Sequence, residues 1–329
     1  MLKKIKAIKR KISKDYAIYV SYIHDCWEYS KWQYNNPSIK SQNAFEAKIL
    51  RQTHVIEKGM SLSKPKAKFG VKKALELLDY IDAFCAAGYK IEDSTSVQNA
   101  IGVLAAYIEF HRERGFKPEE VVCRFYKVER YAPLEKDVFG INIQNINQLY
   151  EEIHSEFPTF FTSRHSVRQF SSRPIEIADI KNAVELAMHA PSACNRQSCK
   201  VYYYNDLQKN TEIGELIAGN TGFVADVQKY LVITSDMSAY YDAFERNQTY
   251  VDGGIFALAL IEALHYNGIA SCILQNGEYR EKNREFKQIC GNIPDNEKII
   301  LFIAIGYYKD DVVFATSHRK KIGEVLIVK

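Results

Sequence analysis

The segment Arg164-His165-Ser166-Val167-Arg168 places two guanidinium groups and a hydroxyl at alternate positions. In an extended or loosely turned stretch, residues i, i+2 and i+4 project the same way. Arg164, Ser166 and Arg168 would then face one anion, and the planar arginine fork suits phosphate bidentately. Two surface arginines on a linker have the same spacing, and spacing alone does not separate the two. A second stretch is Ala190-Pro191-Ser192-Ala193-Cys194-Asn195-Arg196-Gln197. Small side chains let backbone N–H groups approach a flat ligand, while side-chain amides can read ring carbonyls and nitrogens. On spacing alone an ordinary helix-to-strand loop is the simpler reading. A third, Ser317-His318-Arg319-Lys320-Lys321, could close a phosphate site from a distant part of the chain. A solvated basic turn is the usual fate of such a run.

These stretches need elements to hold them. Residues 15–130 read as helical, with amphipathic segments at 43–58, 70–87 and 97–114 and a further helix at 118–129. Gly59, Gly88 and Gly115 follow the first three as stops. Asp93 to Ser96 supply N-cap candidates, and Pro118 suits a first helical turn. A mixed segment, 131–165, surrounds one helix near 145–155. The grammar then changes. Helices at 176–190, 207–218, 246–266 and 278–290 alternate with β-branched and aromatic runs at 200–204, 230–234, 269–274 and 298–307. Such alternation indicates an α+β or α/β layer with a buried sheet. A last apolar run, 324–328, cannot join by a short hairpin and is expected to pair elsewhere, on another subunit if not on its own.

A chain of 329 residues suggests two domains, and 47% hydrophobic residues exclude wholesale disorder. The formal charge of +4 is too small for a general nucleic-acid binder. Residues 1–14 hold seven of the cations and no acid, which leaves −3 on residues 15–329. Leu2, Ile5, Ile8 and Ile12 recur at helical spacing in this basic tail. A helix on an anionic membrane face would show that pattern. The stripe is short and carries no aromatic, which favours packing on the protein instead. There is no run of about 18 apolar residues and no signal-peptide pattern. The odd, scattered set of seven cysteines reads as reduced, mostly buried thiols, and no metal site is expected. The expected location is cytoplasmic, with any peripheral contact at the inner membrane face made by residues 1–14.

Taken together, R-H-S-V-R at 164–168, Pro174 and the helix after it, and A-P-S-A-x-N-x-Q at 190–197 resemble the nitroreductase family of FMN-dependent oxidoreductases. The D-x-G at 252–254 in a long helix, G-I-A-S-C at 268–272, G-Y at 306–307 and S-x-R-K at 317–320 support the resemblance, which covers about residues 160–329. It implies an α+β fold: a three-layer sandwich with a central, mostly antiparallel sheet, here preceded by an all-α N-terminal domain. It also implies FMN at the interface of a homodimer, with a C-terminal strand passing to the partner. The corresponding division is 1–14, 15–158 and 159–329.

Carried over residue by residue, Arg164, His165, Ser166 and Arg168 correspond to phosphate and ribityl contacts, and Arg319 joins the phosphate. Ser192, Cys194, Asn195 and Gln197 fall on the loop that borders the flavin from the other subunit. Asn220, Leu274, Gln275 and Asn276 match positions beside the ring. Ser198-Cys199 stands where many members have Pro-Trp, and Gln275-Asn276 replaces a Glu-Gly of some members, so the ring environment departs from the family pattern. The stretch His54, Glu57, Lys58, Gly59 with Phe69-Gly70 resembles an extension in nitroreductase-like proteins of surface-polysaccharide gene clusters. Its polar trio shares a helix face; a helix-end ion pair with a capping Gly is favoured over a substrate lid. The implied activity is ping-pong: NADH or NADPH reduces the flavin, which then reduces a small organic acceptor. The cofactor does the chemistry, so no side-chain nucleophile is needed. The alternative is a flavin-binding scaffold without turnover, serving a surface-polysaccharide or membrane-associated assembly.

Overall fold

The computed structural model describes residues 2–33, 36–133, 139–227, 229–276, 280–291 and 293–329. The helical half begins with α1 (Leu2–Trp32), α2 (Gln42–Met60), α3 (Val71–Ala86), α4 (Thr95–Glu113) and α5 (Glu119–Phe125). The chain continues through β1 (Ile141–Asn145), α6 (Ile146–Ile153), α7 (Phe157–Ser163) and α8 (Ile177–Ala187). It then alternates as β2 (Cys199–Tyr203), α9 (Leu207–Leu216), β3 (Lys229–Asp236), α10 (Gln248–Tyr266), β4 (Ile269–Gln275), α11 (Arg280–Ile289), β5 (Glu297–Tyr307) and β6 (Asp311–Ala315).

The described chain divides into two compact units. One comprises Met1–Trp27 with Gln144–Val312, the other Glu28–Ile143 with Val313–Lys329. This differs from the division at 14 and 158, for local reasons. In the first unit, Arg246 grips Asp25 of α1 through two bonds of 2.7 Å, and Lys14 lies 3.6 Å from Asp242. In the second, Lys320 donates to the buried Glu46 at 2.8 Å, which fastens the C-terminal segment to α2.

In the first unit a four-stranded antiparallel sheet has the order β2-β3-β5-β4. Its central strand β5 carries the run Ile299 to Ile305, apolar throughout because both faces are covered. Ile303 and Ile305 pack with Leu260 and Leu264 of α10 and Ala183 and Ala187 of α8. Side chains alternate across a strand, so Phe302 points to the other face, where its ring lies 4.6 Å from Phe286 of α11. The result is the three-layer α+β sandwich expected. The second unit buries Ile49, Ile56, Leu77, Ile81, Ile101 and Leu104 among α2, α3 and α4. Ser94 caps α4 by accepting from the Val97 amide at 3.3 Å, and Gly88 and Gly115 stop α3 and α4 at φ +91° and +73°.

Several expectations change. Gly59 is not a stop, because α2 runs on to Met60; its lack of a side chain leaves room for the Phe69 ring, 2.3 Å from where a Cβ would stand. The short strands β1 and β6 pair with each other outside the apolar runs that announce the main sheet. Residues 325–329 form no strand, and Val325, Leu326, Ile327 and Val328 stand exposed. Four of the seven cysteines are exposed rather than buried. The side chains of residues 2–8, hence most of the tail's aliphatic stripe, lie outside the described residues, and Ile12 is exposed. Among the described residues no helix is long and apolar enough to cross a membrane.

Gly306 of β5 lies against Phe170, whose Cβ is 2.5 Å from the position a methyl group would take. A Cβ cannot move away as a side-chain tip can, so Gly306→Ala should cost about 1–3 kcal/mol. Urea unfolding should show the midpoint fall; an unchanged midpoint would mean that segment 168–171 is not held against the sheet.

Candidate functional site

The segment after α7 is laid along the sheet by backbone contacts. Ser166 bridges Ser271 of β4 in parallel, the Val167 amide donates to the Ser271 carbonyl at 3.0 Å, and the Ser171 amide donates to Tyr307 at 2.9 Å. Val167 and Phe170 face the core, while Ser166 is exposed. Arg168 is only 5% exposed, and its Nη1 is buried with no hydrogen-bond partner. Arg164 differs from the expectation of a free anion ligand. Its Nε donates to Glu262 of α10 at 3.0 Å, so a carboxylate already balances its charge. Burial pushes the Glu262 carboxyl above its ordinary range, against the pull of Arg164.

Behind Arg164 lies a buried chain that sequence reasoning missed. His265 is fully buried, with Nε2 2.8 Å from the Ser163 hydroxyl and Nδ1 2.7 Å from the Tyr308 hydroxyl. Burial first, then the charges of Arg164 and His165, lower its pKa to about 3. The ring is therefore neutral at pH 7, and it fixes the end of α7 from which the arginine segment departs.

The 190–197 loop is a built turn. Cys194, Asn195 and Gln197 take left-handed backbone angles of φ +51°, +55° and +48°. Such residues cost of order 1–3 kcal/mol each and persist where surrounding structure over-determines them. Two anchors do so. Asp252 of α10, 2% exposed, accepts from the Ala193 amide at 3.2 Å, the Tyr240 hydroxyl at 2.9 Å and Gln248 at 2.7 Å. Arg196 makes a bidentate pair with Glu245 at 2.7 and 2.9 Å and donates to the carbonyls of Ala193 and Ala239. Cys194, Asn195 and Gln197 are left exposed, while the Ser192 hydroxyl accepts from the Gln197 amide at 3.0 Å. The unusual Ser198 is buried and bonds to Ser235 and Tyr240, so it serves the strand rather than the loop's outer face. A cavity of about 640 Å³ opens beside the loop, lined by Ser192, Gln197, Cys199, Asp252 and Phe256; Arg168 does not line it.

Other expected contacts are placed elsewhere. Asn220 is 3% exposed, and its amide nitrogen is taken by the Gly214 carbonyl at 2.6 Å and by Tyr230, so it clamps the end of α9 instead of offering itself to a ring. Leu274 is buried, Gln275 is exposed, and Asn276 donates to the Ile299 carbonyl at 3.0 Å. Arg319 belongs to the helical unit. There it donates to the Ser317 carbonyl and lines a cavity of about 160 Å³ with His54, Glu57, Ser96 and His318. Glu57 accepts the Ser317 amide at 3.2 Å, so it receives the C-terminal segment.

Residues 161–222, the stretch holding both the arginine segment and the 190–197 loop, match the model of the nitroreductase family. That stretch is similar to the nitroreductase family. An iodotyrosine deiodinase of Haliscomenobacter hydrossis is 24% identical over 202 residues, covering 53% of this chain and 89% of that one. A nitroreductase-family protein of Streptococcus pneumoniae is 22% identical over 53% of this chain and 100% of its own, with a TM-score of 0.44. A Desulfovibrio desulfuricans protein described as a nitroreductase and solved in complex with FMN is 16% identical, over 56% of this chain and 97% of its own, with a TM-score of 0.43.

Asp252 carried a signal through the D-x-G pattern, whereas Arg196, at an unspecified position of the A-x-N-x-Q pattern, and His265 had none. A lone His late in an apolar helix reads as core. Its lowered pKa has a consequence. The unfolded chain binds a proton at His265 near pH 6.5 and the folded chain does not, so the group destabilises the fold as pH falls below that value. Between pH 6.5 and pH 5 the loss is about 2 kcal/mol. Urea titrations should show His265→Gln losing less stability than the parent over that interval; equal slopes would refute a neutral buried ring.

Proposed function

We propose that the protein is an FMN-dependent oxidoreductase. The observation that carries this reading is the buried Arg168 guanidinium with a nitrogen lacking an acceptor, beside the exposed Ser166, in the stretch that matches the family. A donor so placed fits an anionic or carbonyl-rich ligand, because burying a cation without a partner is costly. Arg168 and Ser166 would hold the cofactor, with His165 beside them. Arg164, tied to Glu262, orients the segment. When bound, FMN would take a hydride from NADH or NADPH and pass the electrons to a small organic acceptor in a second half-reaction. The protein's own part is to bind, orient and shield that cofactor.

A homodimer completes the reading. Val251, Ile255 and Leu258 stand exposed along one face of α10. Exposed apolar faces of this kind mark interaction surfaces. The strained, outward-facing Cys194, Asn195 and Gln197 and the exposed run Val325–Val328 suit contact with a second copy. The departures at Ser198-Cys199 keep a second reading open: a flavin-binding scaffold without turnover.

An absorption spectrum with an anaerobic NADH and NADPH titration tests the proposal. The expected result is a yellow protein, bleached by one of the two reductants. A colourless protein that takes up no added FMN would contradict the cofactor assignment. Bound flavin that neither reductant bleaches would favour the scaffold.

A further inference from the structure

We infer that α1 is a membrane-surface helix that docks the protein on an anionic lipid bilayer along a face running from Ile12 to Trp27. The structure makes α1 one continuous helix of 31 residues, so the basic tail is its first half and not a separate appendage. One face of α1 is committed to the sheet unit. Lys14, Ser21 and Asp25 are its partly buried positions, and Asp25 is gripped by Arg246. They recur at i, i+7 and i+11, which is one side of a helix.

At about 100° per residue, Ile12, Tyr16, Tyr19, Ile23 and Trp27 fall together on the opposite side. Each is well exposed, from 58% for Trp27 to 69% for Tyr16 and Tyr19. The stripe is about 22 Å long at 1.5 Å per residue. Aliphatic residues flanked by tyrosine and tryptophan are the composition favoured at a lipid headgroup boundary. The helix thus supplies the aromatics that residues 1–14 alone lack.

Charge decides the occupant. Residues 1–24 carry seven Lys and Arg against one acid, Asp15. In-register pairing of two copies would bring these cations against each other. A nucleic acid would meet the cations but leave Ile12 and Ile23 in water. An anionic bilayer satisfies both features, because each cation near its surface gains electrostatic energy while the stripe enters the headgroup layer.

Vesicle sedimentation of the full chain tests this. Trp27 and Trp32 are the two tryptophans, so Trp32→Phe leaves Trp27 as the reporter. The protein should sediment with phosphatidylglycerol-containing vesicles and not with pure phosphatidylcholine, and Trp27 emission should shift to the blue. The triple variant K9E/R10E/K11E should lower partitioning by roughly a hundredfold or more. The pair Tyr19→Asp and Ile23→Asp should abolish the blue shift with near-UV and far-UV circular dichroism unchanged. Absence of sedimentation, equal binding to both vesicle types, or binding that survives the charge reversals would overturn the inference. So would a stripe variant that splits an oligomer in a parent that ignores vesicles.

Discussion

A guanidinium held out of water with a donor unfilled is the constraint around which the sheet unit is arranged. The backbone of residues 166–171 is fixed at both ends, to Ser271 of β4 and to Tyr307 of β5, and between these anchors Arg168 is 5% exposed. Phe170 closes one side against Gly306, which tolerates no side chain. In isolation such a group lowers stability by several kcal/mol. An electronegative ligand would return that energy on binding, which is how a pre-formed site couples affinity to fold.

Several buried polar groups around it keep this geometry through bonds made within the protein. Asp252 and Arg196 together hold three left-handed residues in one short loop, so Cys194, Asn195 and Gln197 stay displayed instead of relaxing. His265 joins α7 to Tyr308, and Glu297, fully buried in β5, accepts from Lys200, Tyr202 and Thr234. These three bonds outweigh its burial and keep the Glu297 carboxyl below the ordinary range. Satisfied networks of this type rigidify a site, and a half-satisfied one stands out against them. Arg168 Nη1 is such a case, as is Glu262 Oε2.

The main sheet was legible because its strands are long apolar runs between amphipathic helices, and β2, β3, β4 and β5 fall where those runs lie. The arginine segment and the 190–197 loop were legible because spacing and residue type coincide there. What was hidden depends on partners distant in sequence. Nothing local indicates that Arg164 would meet Glu262, 98 residues on, or that Asn220 would be spent on Gly214 and Tyr230. The strands β1 and β6 are short and partly polar, and neither signals its partner. The C-terminal basic run was readable as charge, but Lys320 is fixed by Glu46, a buried acid at the start of α2. Composition showed a basic tail, while the structure shows the helix that continues it.

The central claim is that Arg168 is a ligand-binding cation and not a structural one, and Arg168→Met separates the two roles. Methionine fills similar space without charge, so the unfolding midpoint measured without flavin should hold steady or rise. FMN affinity, read by quenching of flavin fluorescence, should fall roughly tenfold or more, as expected when a charge-assisted hydrogen bond is lost. Unchanged FMN affinity together with a lowered midpoint would contradict the account.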